Sequence, residues 1–145
     1  MREILFRGRT VSESEYLDDG KWIKGSYTCF NGDEHRIYTG YAETDCGDYY
    51  PEWFNVIPET VGQFTGLYDK NGKRIFEGDI VTGLFLHSMP VNGVVAFRDG
   101  SFGLLWDRAG AETFTPFTSM CNVQYEVIGN IHDNPELLNE REDTK

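Results

Sequence analysis

Metal binding, acid–base hydrolysis and nucleophilic catalysis each need particular residue types at particular spacings, and this chain supplies the types without the spacings. Metal ligation asks for His, Cys or carboxylate groups that converge. His35, His87 and His132 stand far apart, Cys29, Cys46 and Cys121 form no Cys-x-x-Cys pair, and no His-x-x-x-His occurs. A centre built from His35, Cys46 and Asp48 would depend wholly on the fold, and surface histidines in loops are the ordinary alternative. No metal and no cofactor is expected. Glu43, Asp45, Asp48 and Glu52 could hold a divalent cation or act as paired carboxylates, but they lack the Asp-x-Asp-x-Asp-Gly order of a calcium loop, and the reading they favour is a solvated acidic loop.

Nucleophilic chemistry finds no Gly-x-Ser-x-Gly. Gly62-Gln63-Phe64-Thr65-Gly66 lacks the Gly-Lys-Ser/Thr that would complete a phosphate loop. Glu77-Gly78-Asp79 reads as a turn fixed by a carboxylate that accepts backbone N–H groups. No catalytic residue is assigned, and the chain is not expected to be an enzyme.

Recognition is the remaining resource. Tyr41, Tyr49, Tyr50, Trp53 and Phe54 share one segment with Asp45 and Asp48, and no Lys or Arg occurs from Ile37 to Asp69. Aromatic side chains anchor protein interfaces, and the carboxylates suit a basic partner. Tyr41, Asp45, Asp48, Tyr49, Tyr50 and Trp53 are therefore the candidate protein-interaction residues; the competing reading is that Trp53 and Phe54 are core beneath a loop. Positive charge gathers at Arg2, Arg7 and Arg9 and again at Lys70, Lys73 and Arg74. The second group suggests an alternative, a nucleic-acid-binding module. A net charge of −11 opposes it by removing the counterion-release drive, and cations at a turn also serve to keep an edge unpaired.

The elements that must position these residues are mainly β. Ten Phe, eight Tyr and three Trp in a chain that is 39% hydrophobic favour strands over disorder. A first strand is predicted from Ile4 to Gly8, one helical turn or a loop from Ser12 to Gly20, and a strand from Trp22 to Phe30 that turns at Asn31-Gly32 into Arg36–Thr39. Gly40 to Asn55 shows no sustained period and reads as mostly loop, with a strand near Phe54–Ile57. Asn71-Gly72 and Asp99-Gly100 predict type I′ hairpin turns. The segment Ala109–Met120 is ambiguous, Val123–Ile131 is a final strand, and Asn134-Pro135 starts a short helix through Leu138. The expected organisation is an N-terminal β region over 1–57, an SH3-like small barrel over 58–139 with a short C-terminal helix, and a charged tail over 140–145.

The run Val61-Gly62-Gln63-Phe64-Thr65-Gly66-Leu67-x-Asp69-Lys70-Asn71-Gly72-Lys73-x-Ile75-x-Glu77-Gly78-Asp79-Ile80-Val81 resembles the signature of the YopX family of phage and prophage proteins. Met1-Arg2-Glu3-Ile4-x-Phe6-Arg7-Gly8, Gly20-Lys21-Trp22-x-x-Gly25 and Glu126-Val127-Ile128-Gly129-Asn130-Ile131-x-x-Asn134-Pro135-Glu136-Leu137-Leu138 agree with it. The resemblance implies a mostly β protein of phage or prophage origin and carries over no catalytic residue. The expected function is that of an accessory protein binding a host or phage protein, or a second copy of itself; nucleic acid is not the expected partner. An odd number of scattered cysteines and the lack of any long apolar run point to a cytoplasmic location without membrane association.

Overall fold

The computed structural model describes residues 1–11, 20–85, 89–119 and 124–138; the predicted turn from Ser12 and the charged tail lie largely or wholly outside them. These residues form eleven strands and three short 3-10 turns. The chain divides into two compact units, Met1–Phe64 and Thr65–Lys145.

In the first unit, β1 (Phe6–Arg9), β2 (Trp22–Phe30), β3 (Glu34–Glu43) and β4 (Tyr49–Asn55) form an antiparallel sheet in the order β4-β3-β2-β1, and the start of β5 (Gly62–Tyr68) adds to β1. Its core is Ile37, Val56 and Phe64. Gly8 lets β1 lie on that core, since a Cβ there would come within 3.1 Å of Ile37 Cδ1. Buried Thr10 bridges to Val56 and receives the Lys21 amide on its hydroxyl at 3.2 Å. Asn31 and Gly32 both take positive φ, 52° and 78°, in a three-residue turn between β2 and β3.

Here the expectation of a mostly irregular stretch from Gly40 to Asn55 is corrected. β3 continues to Glu43 and pairs with β4 over its length, with a bulge between Tyr38 and Gly40. The extra residue breaks the two-residue period in β3, and Pro51 sits inside β4, so neither strand reads as one from its pattern.

In the second unit, β5 runs on to Tyr68 beside β6 (Arg74–Phe76), and a second sheet has the order β10-β9-β8-β7-β11. Its strands are β7 (Asp79–Phe85), β8 (Met89–Arg98), β9 (Ser101–Arg108), β10 (Ala111–Pro116) and β11 (Glu126–Asn130). Ile75, Val81, Val91, Val95, Leu104, Trp106 and Tyr125 form the core. The Trp106 indole N–H, buried there, donates to Thr115 Oγ1 at 3.0 Å. Among the described residues this sheet is open, with β10 and β11 as its edges, so the expected SH3-like barrel is not closed. The short C-terminal helix is also corrected: Pro135–Leu138 is one 3-10 turn, closed by Leu137 N–H donating to the Asn134 carbonyl at 3.1 Å.

Three turns show how local chemistry competes. Asp99-Gly100 makes the predicted two-residue turn, with φ of 52° and 80°. At Asn71-Gly72 only Gly72 has positive φ, and the type I′ expectation fails. The reason is Asp69, whose Oδ1 accepts the amides of Asn71 and Lys73 at 2.9 and 2.8 Å and so shapes a five-residue connection. Its Oδ2 accepts the Val127 amide at 3.1 Å. Ala109-Gly110 forms a third positive-φ turn, which no sequence rule suggests because alanine is strained at its φ of 52°.

Burial raises the Asp69 carboxyl's pKa, but the N–H bonds from Lys73, Val127 and Asn71 and the Lys73 charge outweigh it, and the net shift is downward. A depressed carboxyl stabilises the fold above its unfolded pKa of about 3.9 and loses that contribution as pH falls through the lower folded value. Asp69→Asn is expected to cost about 2 kcal/mol at neutral pH, with the gap to wild type closing below about pH 4, as measured by denaturant melts across pH. A gap that stays constant to pH 2 would contradict this. Ala109→Gly is expected to raise stability by about 1 kcal/mol and the melting temperature by roughly 3 °C in a thermal melt.

Candidate functional site

The β3–β4 hairpin brings Tyr41, Tyr49 and Trp53 together, whereas Tyr50, opposite Ala42, alternates to the other face of the sheet. Register sets Tyr38 opposite Trp53, Tyr41 opposite Pro51 and Glu43 opposite Tyr49, so these six share one face of the sheet. Ile37, opposite Phe54, points to the other face and into the core. At the tip, Thr44 N–H donates to the Asp48 carbonyl at 2.7 Å, and the Asp48 amide donates to the Thr44 hydroxyl at 3.1 Å. Asp45 and Asp48 are exposed there. Tyr41 is 78% exposed, Tyr49 72%, Tyr50 48% and Trp53 39%, whereas Phe54 is half-buried. Trp53 is thus not core beneath a loop.

Arg36 is a residue of this surface that sequence reasoning missed. Its guanidinium lies 3.9 Å from the centre of the Trp53 ring and 5.0 Å from that of Phe30, and it pairs with Glu34 at 2.6 Å. Such a cation–π contact restrains the Trp53 ring against its neighbours on the sheet. Only the register could have revealed it, because Phe30, Arg36 and Trp53 come from three strands. A depression of about 610 Å³ opens beside this stack, lined by Asp33, His35, Arg36, Trp53 and Asn55 among others.

The remaining sequence candidates are not brought together. His35 lies across the ladder from Cys29, and its Nδ1 is 2.6 Å from the Tyr27 hydroxyl. Burial, then the charge and thiol of Cys29, push the Tyr27 phenol above its usual range. Cys46 and Cys29 are exposed free thiols, while His87 and Cys121 lie outside the described residues. Among the described residues no group of three or more His, Cys, Asp or Glu is placed to hold a metal. Of the cationic trio, Lys70 pairs with Glu126 at 3.3 Å, Arg74 lies 6.0 Å from the Tyr68 ring centre, and the Lys73 amide is held by Asp69. Their main-chain neighbourhood is thus the architecture around Asp69.

A family model described as YopX protein matches residues 16–139. Among solved structures, the chain is similar to the crystal structure of protein EF1440 from Enterococcus faecalis, with 25% sequence identity and a TM-score of 0.58, covering 95% of this chain and 99% of that one. No curated protein matches.

Placement of the two tryptophans makes opposite demands on stability. Trp106→Ala, which empties the second core and strands the Thr115 hydroxyl, is expected to cost about 3–5 kcal/mol. Trp53→Ala should cost only about 1 kcal/mol, since it removes exposed surface and a cation–π contact. Equal losses in urea melts would show that Trp53 is core after all.

Proposed function

The chain belongs to the YopX family, and from that premise we propose that it is a phage- or prophage-derived accessory protein that acts by binding a protein partner rather than by catalysis. The observation that carries this reading is the β3–β4 hairpin, which exposes Tyr41, Tyr49, Tyr50 and Trp53 beside Glu43, Asp45, Asp48 and Glu52. Exposed tyrosine and tryptophan on ordered strands offer large contact area at small loss of side-chain freedom, which is what interface anchors need. The carboxylates supply the sign of the partner: a basic surface approaches this hairpin faster and seats on it better than an acidic one. Self-association through the same hairpin is less well supported, because it brings like charges together. The reading places the protein in the cytoplasm of a bacterial host; no helix among the described residues is long and apolar enough to cross a membrane.

Affinity capture from host lysate should recover a partner with the wild-type chain and lose it with the Tyr49→Ala/Trp53→Ala double variant. Identical partners and an unchanged oligomeric state for both proteins would sink the assignment.

A further inference from the structure

On the face that carries Tyr38 and Tyr41, the first unit has a shallow groove of about 540 Å³. Tyr38, Tyr41, Pro51 and Ile4 line it, and Gly25 and Gly40 contribute backbone without side chains. Ile4 is 59% exposed at one end of the groove. At the other end the strands run on past Tyr41 and Pro51 to the hairpin tip, with Glu43, Asp45 and Asp48.

Three kinds of segment can occupy such a face, and they ask for different things. An added β-strand needs a continuous row of free donors and acceptors along β4, but Pro51 stands in the middle of that edge strand without an N–H. An amphipathic helix needs a wide apolar trough, whereas the walls here carry phenolic hydroxyls. A polyproline II segment fits both features. It makes no internal hydrogen bonds, so its carbonyls are free to accept from tyrosine hydroxyls, and its rings lie flat against aromatic walls. Charge sets its direction. Lys24 adjoins Gly25, while no Lys or Arg occurs from Ile37 to Asp69, so a cation on the ligand belongs at the hairpin tip.

We propose that this groove binds an extended, proline-rich segment of a protein partner, with a cationic residue of that segment over Glu43, Asp45 and Asp48. The inference rests on the interaction reading above and adds the chemistry of the partner.

The test is a calorimetric titration of the full chain with a synthetic Pro-x-x-Pro peptide of about ten residues, roughly 30 Å long in this conformation, carrying two arginines at one end. Saturable binding is expected, with at least about tenfold weakening when the prolines become alanine and loss when the arginines become glutamate. Tyr41→Ala, an exposed position, should weaken binding about tenfold with an unchanged melting temperature, and Tyr41→Phe should show a smaller loss from the missing hydroxyl. No saturable binding, equal binding of the alanine peptide, or indifference to Tyr41→Ala each overturns the proposal. If those failures coincide with partner loss in the Tyr49→Ala/Trp53→Ala capture, the interaction reading stands and this inference alone falls.

Discussion

A Cβ on Gly25 would run into the Tyr38 carbonyl and, at 3.1 Å, crowd Ile37 Cγ2, so β3 can pass β2 at this point only because position 25 has no side chain. Much of the exposed face follows from that passage. Gly25 pairs with Phe6 on one side, Ser26 pairs with Tyr38 on the other, and the β3 bulge begins next to that pair. The bulge in turn decides which tyrosines join Trp53 on the open face and leaves Ile37 to the core. Glycine in a strand interior costs stability through backbone entropy. Here the close packing of three strands offsets that loss, and the glycine in the Trp22-x-x-Gly25 motif acquires a physical reason.

The second unit rests on a buried carboxylate in place of a missing side chain. Asp69, 7% exposed, receives three amides, two from its own turn and one from β11. Asp79, 1% exposed, accepts the Phe76 amide at 2.8 Å and fixes the turn into β7. An ionised acceptor makes stronger bonds than a neutral one, which suits Asp69, whose carboxyl is held below its ordinary range, to the three amides it receives. Acidic residues therefore have two separate roles in this chain. Asp69 and Asp79 in the family motif organise backbone, while those at the β3–β4 tip face solvent.

How much of this was legible in the sequence depended on whether a feature is local. Trp22–Phe30 was readable as a strand because nothing interrupts it, and Asp99-Gly100 as a turn because both residues tolerate positive φ. Asn71-Gly72 carries the same kind of signal and fails, since Asp69 supplies stronger local bonds that select another loop. The Glu77-Gly78-Asp79 turn was legible because its carboxylate is only three residues from the amide it holds. Ala109 was illegible because its backbone is imposed by the pairing of β9 with β10 against its own preference. The candidate surface was half legible. Composition marked its aromatics and acids, but the Arg36 stack, the exposure of Trp53 and the groove at Gly40 exist only through a register that no short window encodes.

Strand order in the second sheet carries a consequence for chain entropy. From β7 to β10 each strand pairs with its sequence neighbour, so these connections close short loops. β11 must instead return across the whole meander to lie beside β7. Loop closure grows more expensive with the logarithm of length, so this one pairing bears a larger share of the ordering than any hairpin. The bond from the Val127 amide to the Asp69 carboxylate joins residues 58 apart in sequence. It makes the last strand answerable to the first turn of the unit, and ties local backbone chemistry to the longest closure in the second sheet.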